Sequence, residues 1–122
     1  MRCIVADTSS ILFALSNNFN LFKVLSEEVP GAEIAVSRGI IRELKGIGGS
    51  SKKHSAQAKV ALAFIESGNV TIDKSDAYPD KWILEAAKAG NCLVCTNDGK
   101  LKKALRLNGI RAFSIGKDGK VR

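Results

Sequence analysis

The chain has 122 residues and 13.0 kDa, 45% of them apolar and 25% charged, a profile that suits one domain spanning 1–122 and leaves no room for a second core. No run approaches the roughly 18 apolar residues of a membrane span, and MRCIVADTSS reaches Asp7 too soon for a secretory core, so no membrane partner and a cytoplasmic location are expected. Lys and Arg number 19 against 12 for Asp and Glu, a net charge of +7 that favours a polyanionic partner over a neutral metabolite.

In chain order, residues 2–6 (RCIVA) form a short apolar run ending at Asp7, which reads as a buried strand and a turn. Thr8, Ser9 and Ser10 offer caps for a helix over about 11–16, and 21–26 reads as another short one. Pro30-Gly31 breaks the pattern. A strand at about 33–36 leads to Ser37 as an N-cap and a helix through residue 44 or 45, with Ile40, Ile41 and Leu44 on one face. The glycines and serines of 46–51 read as a flexible loop, and 54–67 as a longer helix burying Ala58, Ala61, Leu62 and Ile65.

A third strand at 70–72 precedes a polar loop, and Pro79 stands where a first helical residue belongs, opening a helix that ends at Gly90. Residues 92–95 make a fourth strand, Asp98 starts an amphipathic helix to Asn108-Gly109, and 111–115 is the fifth strand. Asp118-Gly119 suits the turn of a small terminal hairpin. Strands alternating with helices at these spacings predict an α/β fold: a parallel sheet with right-handed crossovers and helices on both faces.

Charge is unevenly spread. Residues 98–122 hold eight basic residues against Asp98 and Asp118, and between 37 and 60 Arg38, Arg42, Lys45, Lys52, Lys53 and Lys59 surround the lone acid Glu43. Amid this positive charge, four acids stand where strands end or the next helices begin: Asp7, Glu43, Asp80 and Asp98. In an open parallel sheet, ligands bind at the carboxyl edge where strand order reverses, so these acids can converge there. Carboxylates some 6–7 Å apart repel by about 2–3 kcal/mol per pair at an effective dielectric of 20, which calls for protons or a cation. All-oxygen ligation without histidine suits Mg²⁺ or Mn²⁺ better than Zn²⁺. The chemistry implied is phosphodiester hydrolysis, with basic flanks holding the backbone. Helix capping is the bland alternative for Asp7, Asp80 and Asp98; mid-helix Glu43 escapes it.

The segments IVADTSSIL, VSRGIIRELKGI, PDKWILEAA and CLVCTNDGKLKKALRLNGIRAFSI, in this order and spacing, resemble PIN-domain nucleases over nearly the whole chain. The resemblance implies a Rossmann-like three-layer α/β/α domain with a central parallel sheet of about five strands. It also implies Mg²⁺ or Mn²⁺ dependence and endonucleolytic cleavage, usually of RNA. Residue by residue it makes Asp7, Glu43, Asp80 and Asp98 the catalytic, metal-binding set, and Ser9 and Thr96 their supporting hydroxyls. Nucleic-acid contacts are expected from Arg38, Arg42, Lys45, Lys52, Lys53, Lys81, Lys100, Lys102 and Lys103. Lys81 departs from the family pattern, in which a second acid often follows the third one. Ribosomal-RNA processing is the role favoured, with the toxin of a toxin–antitoxin pair or a non-catalytic RNA-binding assembly factor as alternatives; the partners weighed are RNA, a second copy, an antitoxin and a ribosome-assembly protein.

Other signals are discounted. Three cysteines is an odd number and a reducing compartment disfavours disulfides. Cys92 and Cys95, three apart on a strand, point to opposite faces and read as structural, with Cys3 in the core. His54 among Lys52, Lys53 and Ser55 reads as a surface or phosphate-contacting residue, and Trp82 as core packing. Phospho-receiver and haloacid-dehalogenase-type readings both fail at the first strand end, where Asp7 follows Ala6 and residue 9 is serine.

Overall fold

In the computed structural model, which describes residues 3–51 and 53–122, the first apolar run becomes β1 (Cys3–Ala6) at the centre of a sheet. After it come α1 (Thr8–Ser16), α2 (Leu21–Glu28), β2 (Glu33–Ser37), α3 (Arg38–Gly48) and α4 (Ser55–Glu66). The chain continues through β3 (Thr71–Asp73), α5 (Pro79–Gly90), β4 (Leu93–Cys95), α6 (Gly99–Leu107) and β5 (Ala112–Phe113). All strand pairs are parallel, in the order β3-β2-β1-β4-β5. The strand order therefore reverses between β1 and β4, whose carboxyl ends lie side by side with Ala6 opposite Cys95.

Right-handed crossovers to either side of β1 put α1 to α4 on one face of the sheet and α5 and α6 on the other. The contacts agree: α4 packs on α1 and α3, α2 and α3 pack on β2, α5 packs on β1 and β4, and α6 on β5. Ile4, Val5, Val36 and Val94 of the central strands are buried, as expected for a sheet covered on both faces, and they pack with Ile11, Leu25, Ile40, Leu44, Ile83 and Leu105 of the helices. No helix among the described residues is long and apolar enough to cross a membrane.

Local expectations are adjusted in several places. The first helix starts at Thr8, with Asp7 rather than the hydroxyl residues at the N-cap position. Helix α3 runs on through Gly46 to Gly48 instead of dissolving into a loop, because α3 packs on α4 and Gly48 lets the two approach: a Cβ there would stand 3.4 Å from Lys59 Cγ. The glycine signal for a loop is overridden by tertiary packing. Helix α5 includes Gly90, and Asn91 supplies the left-handed cap at φ 51°. The terminal hairpin is reduced to a bridge between Ile115 and Val121.

The expectation of no disulfide is overturned: Cys3 and Cys92 are bonded, and only Cys95, buried in β4, is free among the cysteines. The register pairs Ile4 with Leu93 and so sets residues 3 and 92 abreast, with their Cα atoms 4.9 Å apart, within the span that a disulfide bridges without backbone movement. That neighbourhood arises from strand order, to which the local C-x-x-C spacing is blind.

Candidate active site

Asp7 leaves β1 at the carboxyl edge and is buried, with 5% of its surface exposed. Although it occupies the N-cap position of α1, its side chain caps nothing. Instead Oδ2 accepts hydrogen bonds from Ser9 Oγ and Thr96 Oγ1, each at 2.7 Å. Thr96 Oγ1 in turn accepts from the Asp98 backbone N–H at 3.1 Å, and Ser9 Oγ from that of Asn97, also at 3.1 Å. Ser10 Oγ bonds the carbonyls of Asp7 at 2.8 Å and Cys95 at 3.0 Å. Hydroxyls thus lace the end of β1 to the end of β4 and fix one oxygen of Asp7, while Oδ1 makes no hydrogen bond among the described residues.

The other three acids arrive from separate elements. Asp98 caps α6 in earnest, its Oδ1 accepting from Lys100 N at 3.0 Å and Leu101 N at 3.2 Å. Asp80 lies in the first turn of α5 behind Pro79, where the helix dipole favours a carboxylate, but it makes no cap hydrogen bond. Glu43 projects from mid-α3 beside buried Leu44, which anchors that helix to the core. All four line one open cleft of about 480 Å³, together with Thr8, Ser9, Tyr78 and Pro79. Their charges are felt: partial burial, and then the carboxylates of Asp7 and Asp98, push the pKa of Asp80 above its ordinary value.

Among the described residues, the side-chain ligand atoms lining the cleft are carboxylate and hydroxyl oxygens, the Tyr78 phenol included, and no thiol or imidazole lines it. This donor set fits a hard divalent ion and argues against zinc. One further atom points the same way: Thr8 Oγ1 is buried in the cleft wall without a hydrogen-bond partner among the described residues, an unusual state for a buried hydroxyl. Among the described residues no three acids are drawn together as a ready-made cage.

The expected cationic contacts divide into free and engaged groups. Arg38 and Arg42 both reach Asp76 Oδ1, at 3.9 and 2.6 Å. Lys45, Lys53, Lys100 and Lys103 are exposed, and Lys52 lies outside the described residues. Lys102 turns inward, donating to Ser114 Oγ at 3.0 Å and to the Arg122 carbonyl at 3.2 Å; desolvation and the nearby Arg106 hold its pKa below the usual lysine range. Lys81 pairs with Glu85 one turn along α5, 4.0 Å away, and is not among the residues lining the cleft.

Trp82 is buried, in keeping with a packing role. His54 Nδ1 meets Ser16 Oγ at 3.0 Å, away from the acids. The cleft residue that sequence reasoning missed is Tyr78. Its signal was available: it is the chain's one tyrosine, in a polar loop directly before a helix-opening proline.

The fold is shared with known proteins. The model of the PIN like domain family matches residues 4–117. Ribonuclease VapC9 of Archaeoglobus fulgidus is 27% identical over 122 residues, covering 99% of this chain and 88% of its own length. Among solved structures, the PIN domain endonuclease Utp24 superposes with a TM-score of 0.79 at 25% identity, covering 98% of this chain and 89% of that one. VapBC-1 from nontypeable Haemophilus influenzae shares the fold, with a TM-score of 0.62 at 17% identity over 90% of this chain and 96% of that one. With its strand order, its acidic cleft at the switch point and a family match over nearly its full length, the chain belongs to the PIN like domain family.

Proposed function

We propose that this protein is a metal-dependent endoribonuclease, with Asp7, Glu43, Asp80 and Asp98 as the acids that hold Mg²⁺ or Mn²⁺. The observation that carries the reading is the meeting of four acids from four separate segments in one cleft of a chain whose net charge is +7. When bound, the ion supplies an activated water and stabilises negative charge developing on phosphorus. The chain's own residues set the stage. Ser9 and Thr96 orient Asp7, Asp98 is held by the α6 backbone, and Asp80, with its raised affinity for a proton, is relieved by a cation in its place. Exposed cations on α3 and α6 supply the sequence-independent grip on phosphates. The relatives support the substrate class, since one is named a ribonuclease and the other an endonuclease.

The decisive experiment is cleavage of structured RNA in Mn²⁺ or Mg²⁺ by the wild type and by Asp98→Asn. Asparagine caps a helix as well as aspartate does, so this variant keeps α6 while removing a charge. Cleavage by Asp98→Asn at the wild-type rate would remove Asp98 from the reaction and overturn the four-acid site. Lys81, which directly follows Asp80 and meets Glu85 at 4.0 Å, motivates the non-catalytic alternative.

In role, ribosomal-RNA processing is the reading kept. Likeness to Ribonuclease VapC9 sustains the toxin alternative, and growth arrest on expression of this chain alone, relieved by a co-expressed small partner, is its signature. A homodimer and a ribosome-assembly partner belong to the same proposal and are read out by sedimentation with and without RNA.

A further inference from the structure

A second cleft of about 440 Å³ adjoins the acidic one. The two share Glu43, Tyr78 and Pro79, and the second adds Arg42 and Asp76. At the divide stands Tyr78, 86% exposed, while the chain's one tryptophan, Trp82, is buried at 4%. An aromatic ring left in water gives up the burial that such side chains ordinarily gain, and no hydrogen bond of its hydroxyl offsets this among the described residues.

The backbone beneath the ring is built to hold it. Asp73 Oδ1 accepts from Ser75 N at 2.8 Å, Ser75 Oγ from Ala77 N at 3.2 Å, and the Ser75 carbonyl from Gly39 N at 3.3 Å. Residue 39 must be glycine for this strap to lie on α3: a Cβ there would stand 2.5 Å from the Ala77 carbonyl oxygen. Pro79 fixes the next turn, and the Tyr78 carbonyl accepts from Trp82 N at 3.0 Å. A ring on so constrained a base loses little freedom when it stacks. Beyond it, Arg38 and Arg42 both reach the carboxylate of Asp76, so two guanidinium groups stand at this end of the cleft.

We propose that this second cleft is a nucleotide subsite, in which the base beside the reacting phosphate stacks on Tyr78 and the following phosphate meets Arg42 and Arg38. The assignment rests on the reading of the acidic cleft as the place where the RNA backbone sits. Stacking tolerates any base, so the subsite selects single-stranded over paired RNA without reading sequence.

The test uses a fluorescein-labelled short single-stranded RNA and an abasic sugar-phosphate of equal length, with binding measured by anisotropy in EDTA so that hydrolysis plays no part. The wild type is expected to prefer the base-bearing strand. Tyr78→Ala loses about 5- to 150-fold of that affinity and binds the abasic strand unchanged, while Tyr78→Phe retains the preference. Because the chain has one tyrosine, ring-labelled protein gives a single NMR signal from this residue, expected to move on addition of the base-bearing strand only. Equal affinity of Tyr78→Ala and wild type, or a stationary ring signal while RNA binds, overturns the subsite. Tyr78-dependent binding by a chain that cleaves nothing in Mn²⁺ upholds the subsite and overturns the nuclease reading. Failure to bind RNA at all overturns both.

Discussion

Thr96 Oγ1 donates to Asp7 Oδ2 at 2.7 Å and accepts from the Asp98 backbone N–H at 3.1 Å, so one fully buried hydroxyl couples the acid after β1 to the acid after β4. Valine at 96 would keep the shape, strand the Asp98 N–H and leave Asp7 Oδ2 with Ser9 alone. Thr96→Val is expected to cost about 1–3 kcal/mol in urea denaturation and to lower metal affinity or cleavage by about 10–100-fold. Thr96→Ser keeps the oxygen and should stay near wild type. Equal damage in the serine and valine variants would show that the methyl group, and not the hydroxyl, is what the site requires.

Asp80 predicts a pH dependence with a definite sign. Its pKa is raised above the ordinary 3.8, so the folded state holds this proton more tightly than the unfolded chain. The stability so gained is complete below the unfolded value of about 3.8 and is lost as pH rises through the raised folded value. In EDTA, Asp80→Asn is therefore expected to melt above the wild type at neutral pH, with the gap closing as pH falls below about 4. Asp118 runs in the opposite direction, its pKa lowered first by the Lys120 N–H, but it is common to both proteins and cancels. Divalent ion should narrow the neutral-pH gap by stabilising the wild type more. A variant no more stable than wild type in EDTA would mean that the acids do not crowd one another.

Thr8 makes a prediction of the opposite kind, in which stability is gained at the expense of the site. Its Oγ1 is buried without a partner among the described residues, and a hydroxyl in that state costs about 1–3 kcal/mol. Thr8→Val removes the group with little change of shape. Calorimetry without metal is expected to show a more stable protein, and a Mn²⁺ titration a smaller rise in melting temperature than wild type. A destabilised valine variant would mean that the hydroxyl is satisfied in solution and has no bearing on a ligand.

The alternation of strands and helices was legible because burial on both faces of a parallel sheet leaves short apolar runs, and the helices keep their period around Ile40, Leu44, Ala58, Ala61 and Ile65. Positions of the acids followed from the same pattern, since each stands just past a strand or in the helix after it. Division of labour among them was not legible: that Asp98 caps while Asp7 is gripped by Ser9 and Thr96 depends on which strands are neighbours. For Tyr78 the sequence offers only its singularity and the proline after it, since exposure has no periodic signature. Trp82, four residues on, reads as core packing from the sequence and is buried.

The Cys3–Cys92 disulfide lies at the end of the sheet opposite the acids, since Cys3 opens β1 and Cys92 precedes β4, whereas Asp7 and Asp98 follow those strands. It closes a loop spanning a sequence separation of 89, and a link of this kind stabilises by about 2–4 kcal/mol, mainly by restricting the unfolded chain. Thiol titration of the oxidised protein in denaturant is expected to find the one free thiol of Cys95, and three after reduction. Reductant, or the double change Cys3→Ser and Cys92→Ser, should lower the urea midpoint while leaving RNA cleavage at low temperature intact, because no hydrogen bond around Asp7 involves either residue. Two effects are separable here. A midpoint indifferent to reductant would show that the link does not hold the fold, and a loss of cleavage in fully folded reduced protein would show that the two ends of β1 are coupled.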